Sequence, residues 1–192
     1  MNVRRGAPWG ERVAASQDVV RAASDAEAAA VASAGKPVRL GGGDLLATLG
    51  GSADGLNRYR IDMLRVLADD RHLLAVAHVV ARGRSWWRGP VVAALNAEYV
   101  GAWDVAPRAH PGDGRFDVME VDATMPVRSR WQAWRRLPTG THVPHPQMHL
   151  RQAASVTWTF DRRRRLWVDG VRRGTVRSLV VSVEPGLATV HT

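Results

Sequence analysis

The sequence predicts an α+β protein that is mainly β: an antiparallel β-sandwich preceded by a small α/β fragment. After Gly55, short apolar and β-branched segments alternate with turn clusters such as Asp69-Asp70 and Pro185-Gly186, a spacing typical of sandwiches. Before that point, a helix-forming alanine-rich run is followed by a short strand and a glycine turn. The predicted domains are therefore residues 1–55, a reduced α/β fragment, and residues 56–192, the sandwich.

The α/β fragment is predicted from local signals. Residues 25–34 favour a helix, with Ser24 as N-cap and Gly35 as the stop. A strand over 36–40 leads into three glycines, Gly41, Gly42 and Gly43, and a second helix begins after them. A glycine turn between a strand and a helix often binds phosphate, because the first helical amides have no partner. A flexible turn without a ligand is the alternative.

The second part contains eight predicted strand segments and one predicted helix. The segments are rich in β-branched residues and end at Gly, Pro or Asp turns; they cover residues 61–67, 73–81, 90–100, 115–121, 155–160, 166–168, 178–183 and 188–191. Residues 127–137 are the exception, because Trp131 and Trp134 are three apart and would share one helix face.

Composition excludes several classes. The 192 residues contain no cysteine, so disulfides and thiolate metal sites are excluded. No apolar run reaches the ~18 residues needed to span a bilayer, and a cytoplasmic protein is predicted. The net charge is +9, and nearly all of the positively charged residues are arginines. Because no nucleic-acid-binding motif accompanies this charge, a nucleic-acid partner is not predicted.

The segment 105–118, with sequence VAPRAHPGDGRFDV, is a strand end, a tight turn and a strand start. Pro107 and Pro111 fix φ, while Gly112 and Gly114 allow unusual backbone angles. Asp113 lies between the two glycines, so its carboxylate can cap backbone amides or bind a cation beside exposed carbonyls.

This segment resembles the P-x-A-x-x-D-D-G-x-x-D-V signature of the C-terminal domain of bacterial diacylglycerol kinases and related lipid kinases. Residues 137–142 (LPTGTH) are similar to the family's L-x-x-G-x-H, and residues 167–170 (WVDG) to its V-D-G-E. Residues 91–101 resemble a family strand that ends in asparagine, and residues 40–50 a nucleotide-domain segment, G-T-G-N-D-x-A-R-x-L-G. Together these motifs cover residues 36–192 in family order.

The resemblance implies a NAD kinase-like sandwich, a structural Mg²⁺ and a nucleotide site. The Mg²⁺ ligands would be the Asp113 side chain and the carbonyls of His110 and Arg115, although Asp113 capping its own turn is an equal alternative. ATP or another phosphorylated ligand would bind at the Gly41–Gly43 turn and Asp44.

The same resemblance implies missing catalytic parts. Val171 occupies the position of the family's general base, a glutamate, and only the adjacent Asp169 is kept, in what is expected to be an ordinary Asp-Gly hairpin turn. The G-G-D-G-T phosphate loop is absent. We therefore expect a lipid-kinase-like protein without independent catalysis that binds a lipid or phosphorylated ligand. The alternatives are an active kinase completed by a partner chain and a non-enzymatic scaffold at a membrane or protein surface.

Three further features bear on partners. The run Arg162 to Arg165 is expected at a solvated hairpin tip, and in the sequence SWWR at 85–88 one tryptophan is expected in the core and one on the surface. The alternative is that both segments contact an anionic membrane, to which arginines and paired tryptophans are suited. His142, His145 and His149 are separated by prolines, which favours a loop over a zinc site. An exposed sheet edge would favour a homodimer.

Overall fold

The structure is a computed structural model that describes residues 9–14, 18–51 and 57–192. Its N-terminal part contains β1 (Glu11–Arg12), β2 (Val20–Ala22), α1 (Asp25–Ser33), β3 (Val38–Leu40) and α2 (Asp44–Leu49). The remainder contains β4 (Asn57–Ala68), β5 (Arg71–Ala75), β6 (His78–Arg82), β7 (Val91–Leu95), β8 (Tyr99–Val100), β9 (Trp103–Asp104), β10 (Phe116–Val121), α3 (Val127–Arg136), β11 (Met148–Ala153), β12 (Ser155–Val168) and β13 (Val171–His191).

Eleven of the thirteen described strands form one large sheet, whose main path is β1-β4-β13-β12-β6-β7-β10-β11 with antiparallel pairs throughout. Strand β5 pairs with β4 beside this path, and β8 and β9 pair only with each other. Strands β4 and β10 are five places apart in this order, yet Leu64 and Val66 of β4 share a buried cluster with Phe116 and Val118 of β10. The sheet therefore closes over its own apolar face as a β-sandwich. Irregularities within the long strands β12 and β13 accompany this curvature.

The N-terminal part is continuous with this sheet. Strand β3 pairs in parallel with the end of β13 through Val38 and Val190, and β2 pairs in parallel with β3. Alanines of α1 and Leu45 of α2 are buried in a second cluster with Ile61 and Met63 of β4. The predicted domain boundary at 55/56 lies outside the described residues, so the division into two domains stays a prediction.

A third apolar cluster lies between α3 and the outer face of β6, β7 and β10. Ala133 of α3 faces Val80, Val91 and Leu95 there. This layer positions the cavity described below.

The predicted fold class and both N-terminal helices are confirmed. Ser24 caps α1 as expected, because its hydroxyl accepts from the Glu27 amide at 3.3 Å. The helix predicted at 127–137 is α3, which ends at Arg136.

Four strand predictions were wrong in detail. The segment 90–100 is two strands, β7 and β8, with a bend at residues 96–98. The segment 73–81 is two strands, because the amides of Val76 and Ala77 between them donate to the Asp169 carboxylate instead of to a neighbouring strand. The arginine run at 162–165 lies inside the continuous strand β12, at an irregularity, and not at a hairpin tip. Likewise Pro185-Gly186 is an irregularity inside β13, not a turn between strands. Strand β11, following the histidine-containing loop, was not predicted.

Among the described residues, every helix is too short or too polar to cross a bilayer.

Candidate functional site

An apolar cavity of about 150 Å³ lies beneath α3. Its floor is formed by the outward side chains of β6, β7 and β10, including Val80, Ala93 and Met119. Its roof is α3, through Ala133 and Trp134, together with the neighbouring Leu137. Alternate residues of these strands face the sandwich core, so the strands carry apolar side chains on both faces. The result is a second apolar layer that α3 covers incompletely.

Tryptophans form the mouth of this cavity. Trp86, Trp87 and Trp134 line the cavity while 41%, 38% and 43% of each residue stays exposed. The rings of Trp87 and Trp134 meet edge to face at 6.2 Å, and those of Trp86 and Trp103 at 6.3 Å. The cavity is therefore bordered by aromatic side chains that extend to the protein surface.

Arg130 holds this border in place. It is only 6% exposed, and its guanidinium donates to the carbonyls of Trp86 (2.8 Å), Gly89 (2.6 Å), Asp122 (2.6 Å) and Met125 (3.2 Å). A buried charge is tolerated only when it is hydrogen-bonded in this way. The side chain consequently joins α3 to the tryptophan-containing loop between β6 and β7.

One partly buried polar side chain follows a cavity residue in the chain without lining the cavity. Asp104 lies between Trp103 and Val105, which both line the cavity, so in an extended chain its side chain points to the opposite side. Its Oδ1 is buried with no hydrogen-bond partner among the described residues. Burial raises the pKa of this carboxyl and lowers the pKa of nearby His142.

The turn that carries His110, Asp113 and Arg115 is held by its own hydrogen bonds. The Asp113 Oδ1 accepts from the Arg115 amide at 2.9 Å, and the His110 carbonyl accepts from the amides of Gly112 (2.8 Å) and Asp113 (3.4 Å). The His110 ring lies against Trp9, with centroids 4.4 Å apart. The turn-capping alternative for Asp113 is thus what the geometry supports, while the proposed Mg²⁺ ligand set stays a prediction.

Asp117 is a neighbouring carboxylate that sequence reasoning missed. It lines the same surface pocket as His110 and Asp113, is 3% exposed, and its Oδ2 has no hydrogen-bond partner among the described residues. Burial, with a smaller contribution from the charge of Asp113, raises the pKa of Asp117 to about 6. The sequence did offer a signal for this residue, because Asp117 is the second aspartate of the D-G-x-x-D pattern.

The Asp169-Gly170 turn joins β12 to β13 as predicted, with positive φ at both residues, but its carboxylate points inward. Asp169 accepts from the amides of Val76 (3.0 Å), Ala77 (2.9 Å) and His78 (3.0 Å), and it is 6% exposed. Burial outweighs these bonds and raises its pKa to about 6. Val171 follows on β13, 40% exposed.

At the glycine turn, a carboxylate from the chain itself occupies the start of α2. Asp25 accepts from the amides of Asp44 (2.7 Å) and Leu45 (3.1 Å), which are the donors that a bound phosphate would use. A side chain at Gly43 would collide with the Asp25 carboxylate, and one at Gly42 with the Ala23 carbonyl. Residues 23–25 therefore lie so close to the backbone of the turn that only glycine fits at positions 42 and 43.

His78 links the glycine turn to the Asp169 turn. Its amide donates to Asp169, and its Nδ1 lies 3.5 Å from the Asp44 Oδ2. Burial lowers the pKa of His78 although the carboxylates of Asp44 and Asp25 oppose that effect. The sequence motifs at 41–44 and 169–170 thus converge on one buried cluster of three aspartates and a histidine.

The Asp113 turn is connected to this cluster through Asn96 and Asp62. Asn96 donates to the carbonyls of Val76 (2.8 Å) and Asp62 (2.9 Å), and the Asp62 carboxylate accepts from the amides of Gly114 and Gly186, both at 2.7 Å. The three motifs are therefore joined by hydrogen bonds and by the contact between the His78 Nδ1 and the Asp44 carboxylate. Asp25, Asp62 and His78 were not identified from the sequence, because nothing local marks a residue whose partners are far along the chain.

The described residues contain no group of three His, Asp or Glu side chains arranged to hold a metal ion. His142 is buried, and His145 accepts from the Gln147 amide within its loop at 3.1 Å. His142 and His145 therefore lie in the loop that was predicted, whereas His149 lies on β11 and pairs with Glu120 of β10.

Comparison with known proteins gives a consistent result. A family model described as the YegS C-terminal NAD kinase beta sandwich-like domain matches residues 20–192. Three similar solved structures come from Bacillus anthracis str. Sterne. A diacylglycerol kinase is 13% identical (91% of this chain, 76% of that chain, TM-score 0.62). Two putative diacylglycerol kinases are 13% identical (90% and 76%, TM-score 0.65) and 12% identical (91% and 78%, TM-score 0.66). At these identities the likeness shows the fold. No curated protein matches.

Proposed function

The chain belongs to the family of the YegS C-terminal NAD kinase beta sandwich-like domain, and from this premise we propose that it is a lipid-binding relative of the diacylglycerol kinases without kinase activity of its own. The observation that carries the proposal is the apolar cavity beneath α3. The ligand is a lipid whose hydrocarbon chain enters this cavity between the tryptophans.

The lining of the cavity supports a hydrocarbon ligand. Its walls are almost wholly aliphatic and aromatic, and Arg130 is the one charged residue among them, with its guanidinium already bonded to carbonyls. An apolar cavity of this size tends to stay dry and to accept apolar ligands. Each methylene buried there contributes about 0.8 kcal/mol.

The absence of independent catalysis is supported at two places. Val171 cannot accept a proton, and the carboxylate of adjacent Asp169 is already bonded to three backbone amides. At the glycine turn, a phosphate would have to displace the Asp25 carboxylate from the amides of Asp44 and Leu45. Phosphoryl transfer depends on a positioned base and on charge stabilisation of the phosphate. Both requirements are opposed by these contacts, so ATP is not expected to bind at Gly41, Gly42, Gly43 and Asp44.

The family resemblance also implies Mg²⁺ near Asp113. The unpartnered Oδ2 of Asp117 beside Asp113 is the feature that suits a cation, since Mg²⁺ is often held by one or two carboxylates plus waters. We therefore retain Mg²⁺ as a proposed structural ion at this turn, with Asp113 and Asp117 as carboxylate ligands and the carbonyls of His110 and Arg115 nearby.

The binding half of the proposal is tested with a fluorescent fatty acid titrated into the purified protein. Ala133→Phe fills the cavity from α3 and should abolish saturable binding. Ala30→Phe places the same side chain at an exposed position of α1 and should leave binding unchanged. Thermal unfolding of both variants verifies that they fold. Equal binding by Ala133→Phe and the unmodified chain would refute the cavity as the lipid site.

The catalytic half is tested separately with diacylglycerol and radiolabelled ATP, beside an active bacterial diacylglycerol kinase and a heat-inactivated sample. We expect no phosphorylation above the inactivated sample, either for the unmodified chain or for Val171→Glu. Activity of the unmodified chain would overturn the assignment as non-catalytic while leaving the lipid site intact.

A further inference from the structure

We infer that α3 and the loop between β6 and β7 form a docking surface for an anionic lipid bilayer. This inference rests on the proposed function in one respect, since the bilayer would present lipid directly to the cavity mouth. The surface, called here the α3 surface, consists of exposed apolar and basic residues: Trp86, Trp87, Val127, Trp131, Trp134, Arg84, Arg88, Arg128, Arg135 and Arg136.

The apolar residues of this surface are concentrated, not scattered. Of the eight large hydrophobic residues that are exposed in the described part of the chain, five lie here. Four of the five are tryptophans, the side chain that prefers the interface between hydrocarbon and headgroups. Val127 and Trp131, exposed by 47% and 46%, do not line the cavity. An exposed patch of this kind marks an interaction site.

The charge of the α3 surface identifies the kind of partner. Residues 82–89 and 127–136 contain seven arginines and no aspartate or glutamate. Arg130 is buried and Arg82 is stacked between two tryptophans, whereas the other five arginines are exposed. One of the five, Arg135, lies over the ring of Trp131 at 4.9 Å. Basic residues beside interfacial tryptophans fit anionic headgroups. A second copy of the chain would bring like charges together, which disfavours self-association through this face.

Contacts within the chain hold the loop of this surface in place. Arg130 joins the loop to α3 through its bonds to the carbonyls of Trp86 and Gly89. The guanidinium of Arg82 lies between the rings of Trp86 and Trp167, 4.4 and 4.2 Å from their centroids. Because Trp86 is already positioned, little conformational entropy is lost when its ring enters the headgroup region.

The arrangement favours a bilayer over a nucleic acid. The ring pairs of the surface meet edge to face, at 86° and 69°, and so leave no parallel slot in which a base would stack. The same tryptophans border an apolar cavity, which a nucleic acid has no means of using. A bilayer offers anionic headgroups to the arginines, an interfacial region to the tryptophans and hydrocarbon chains to the cavity.

The test is flotation with vesicles of phosphatidylcholine alone and of phosphatidylcholine mixed with phosphatidylglycerol. The protein should float with the anionic vesicles, not with the neutral ones, and added salt should weaken the binding. Arg128→Glu with Arg135→Glu should lower the partition coefficient by about 25-fold or more, taking about fivefold for each arginine lost. Trp131→Ala should lower it on the order of tenfold.

The matched control is Arg21→Glu with Lys36→Glu. Both residues are exposed, on β2 and between α1 and β3, and the pair changes the net charge by the same amount. The control should partition like the unmodified chain. If the control and test variants lose vesicle binding equally, the binding depends on net charge and not on this surface, and the inference is overturned. Binding to neutral vesicles that does not change with salt would overturn it as well. Tight binding of a single-stranded RNA that is lost in the same variants, without vesicle binding, would overturn it in favour of nucleic acid.

Fatty-acid titration without vesicles separates this inference from the proposed function. The test variants leave the cavity lining unchanged and should bind the fluorescent fatty acid normally. Fatty-acid binding without vesicle binding would refute the docking surface alone. Vesicle binding without fatty-acid binding would support the surface and refute the cavity proposal.

Discussion

Replacing Asp117 by asparagine tests whether burial sets the pH dependence of stability in this fold. The carboxyl is 3% exposed, and its Oδ2 has no hydrogen-bond partner among the described residues. Burial is the main reason that its pKa rises from the usual 3.8 to about 6. A folded-state pKa above the unfolded one means that the folded protein binds the proton more tightly. The stability contributed by that proton is full below about pH 4 and is lost as the pH rises through about 6.

The magnitude follows from the same shift. A difference of about two pH units corresponds to about 3 kcal/mol. Asparagine has nearly the same shape and cannot ionise, so Asp117→Asn should raise the free energy of unfolding by up to about 3 kcal/mol near pH 8 and change it little near pH 4.

The assay is urea unfolding at both pH values, with a chelator present so that divalent cations contribute nothing. Asp161→Asn, at an exposed position of β12, is the matched control and should alter stability little at either pH. The reasoning is refuted if Asp117→Asn is destabilising near pH 8, or if its effect is the same at both pH values.

Three further predictions concern the network and the α3 brace. Asp169→Asn should destabilise by about 2 kcal/mol in urea unfolding, because one oxygen cannot serve three buried amides. Gly43→Ala should destabilise by about 2 kcal/mol or more, since φ is +103° and the new side chain meets the Asp25 carboxylate; Gly35→Ala, with φ of +71° and open space, should cost only about 1 kcal/mol. Arg130→Met should speed amide hydrogen exchange in the loop between β6 and β7, because four hydrogen bonds to carbonyls are lost, while exchange in α1 stays unchanged.

Features that depend on short-range chemistry could be predicted from the sequence. The Ser24 cap, the helix of α1 and the turn around Asp113 are set by residues within a few positions of one another. The family motifs added the type of sandwich and singled out Asp44 and Asp169. These predictions required no knowledge of the distant partners of any side chain.

Features that depend on partners far along the chain could not be predicted from the sequence. The break between β5 and β6 results from a carboxylate more than ninety residues away along the chain. The Asp25 contact with α2 spans 19 positions and has no local signature. The cavity was equally hidden, because apolar residues on both faces of β7 indicate burial but not whether the covering helix fills the space.

The glycine turn and the cavity beneath α3 place different demands on a ligand. At the glycine turn, the amides of Asp44 and Leu45 already have an acceptor, so an anion gains free energy only by displacing Asp25. Burial raises the pKa of Asp25 to about 6, so this carboxylate is largely ionised at neutral pH and repels a phosphate as well. Beneath α3, by contrast, apolar side chains surround about 150 Å³ that no group of the chain fills. A ligand there displaces no protein group and buries hydrocarbon, so the larger gain in free energy lies at the cavity.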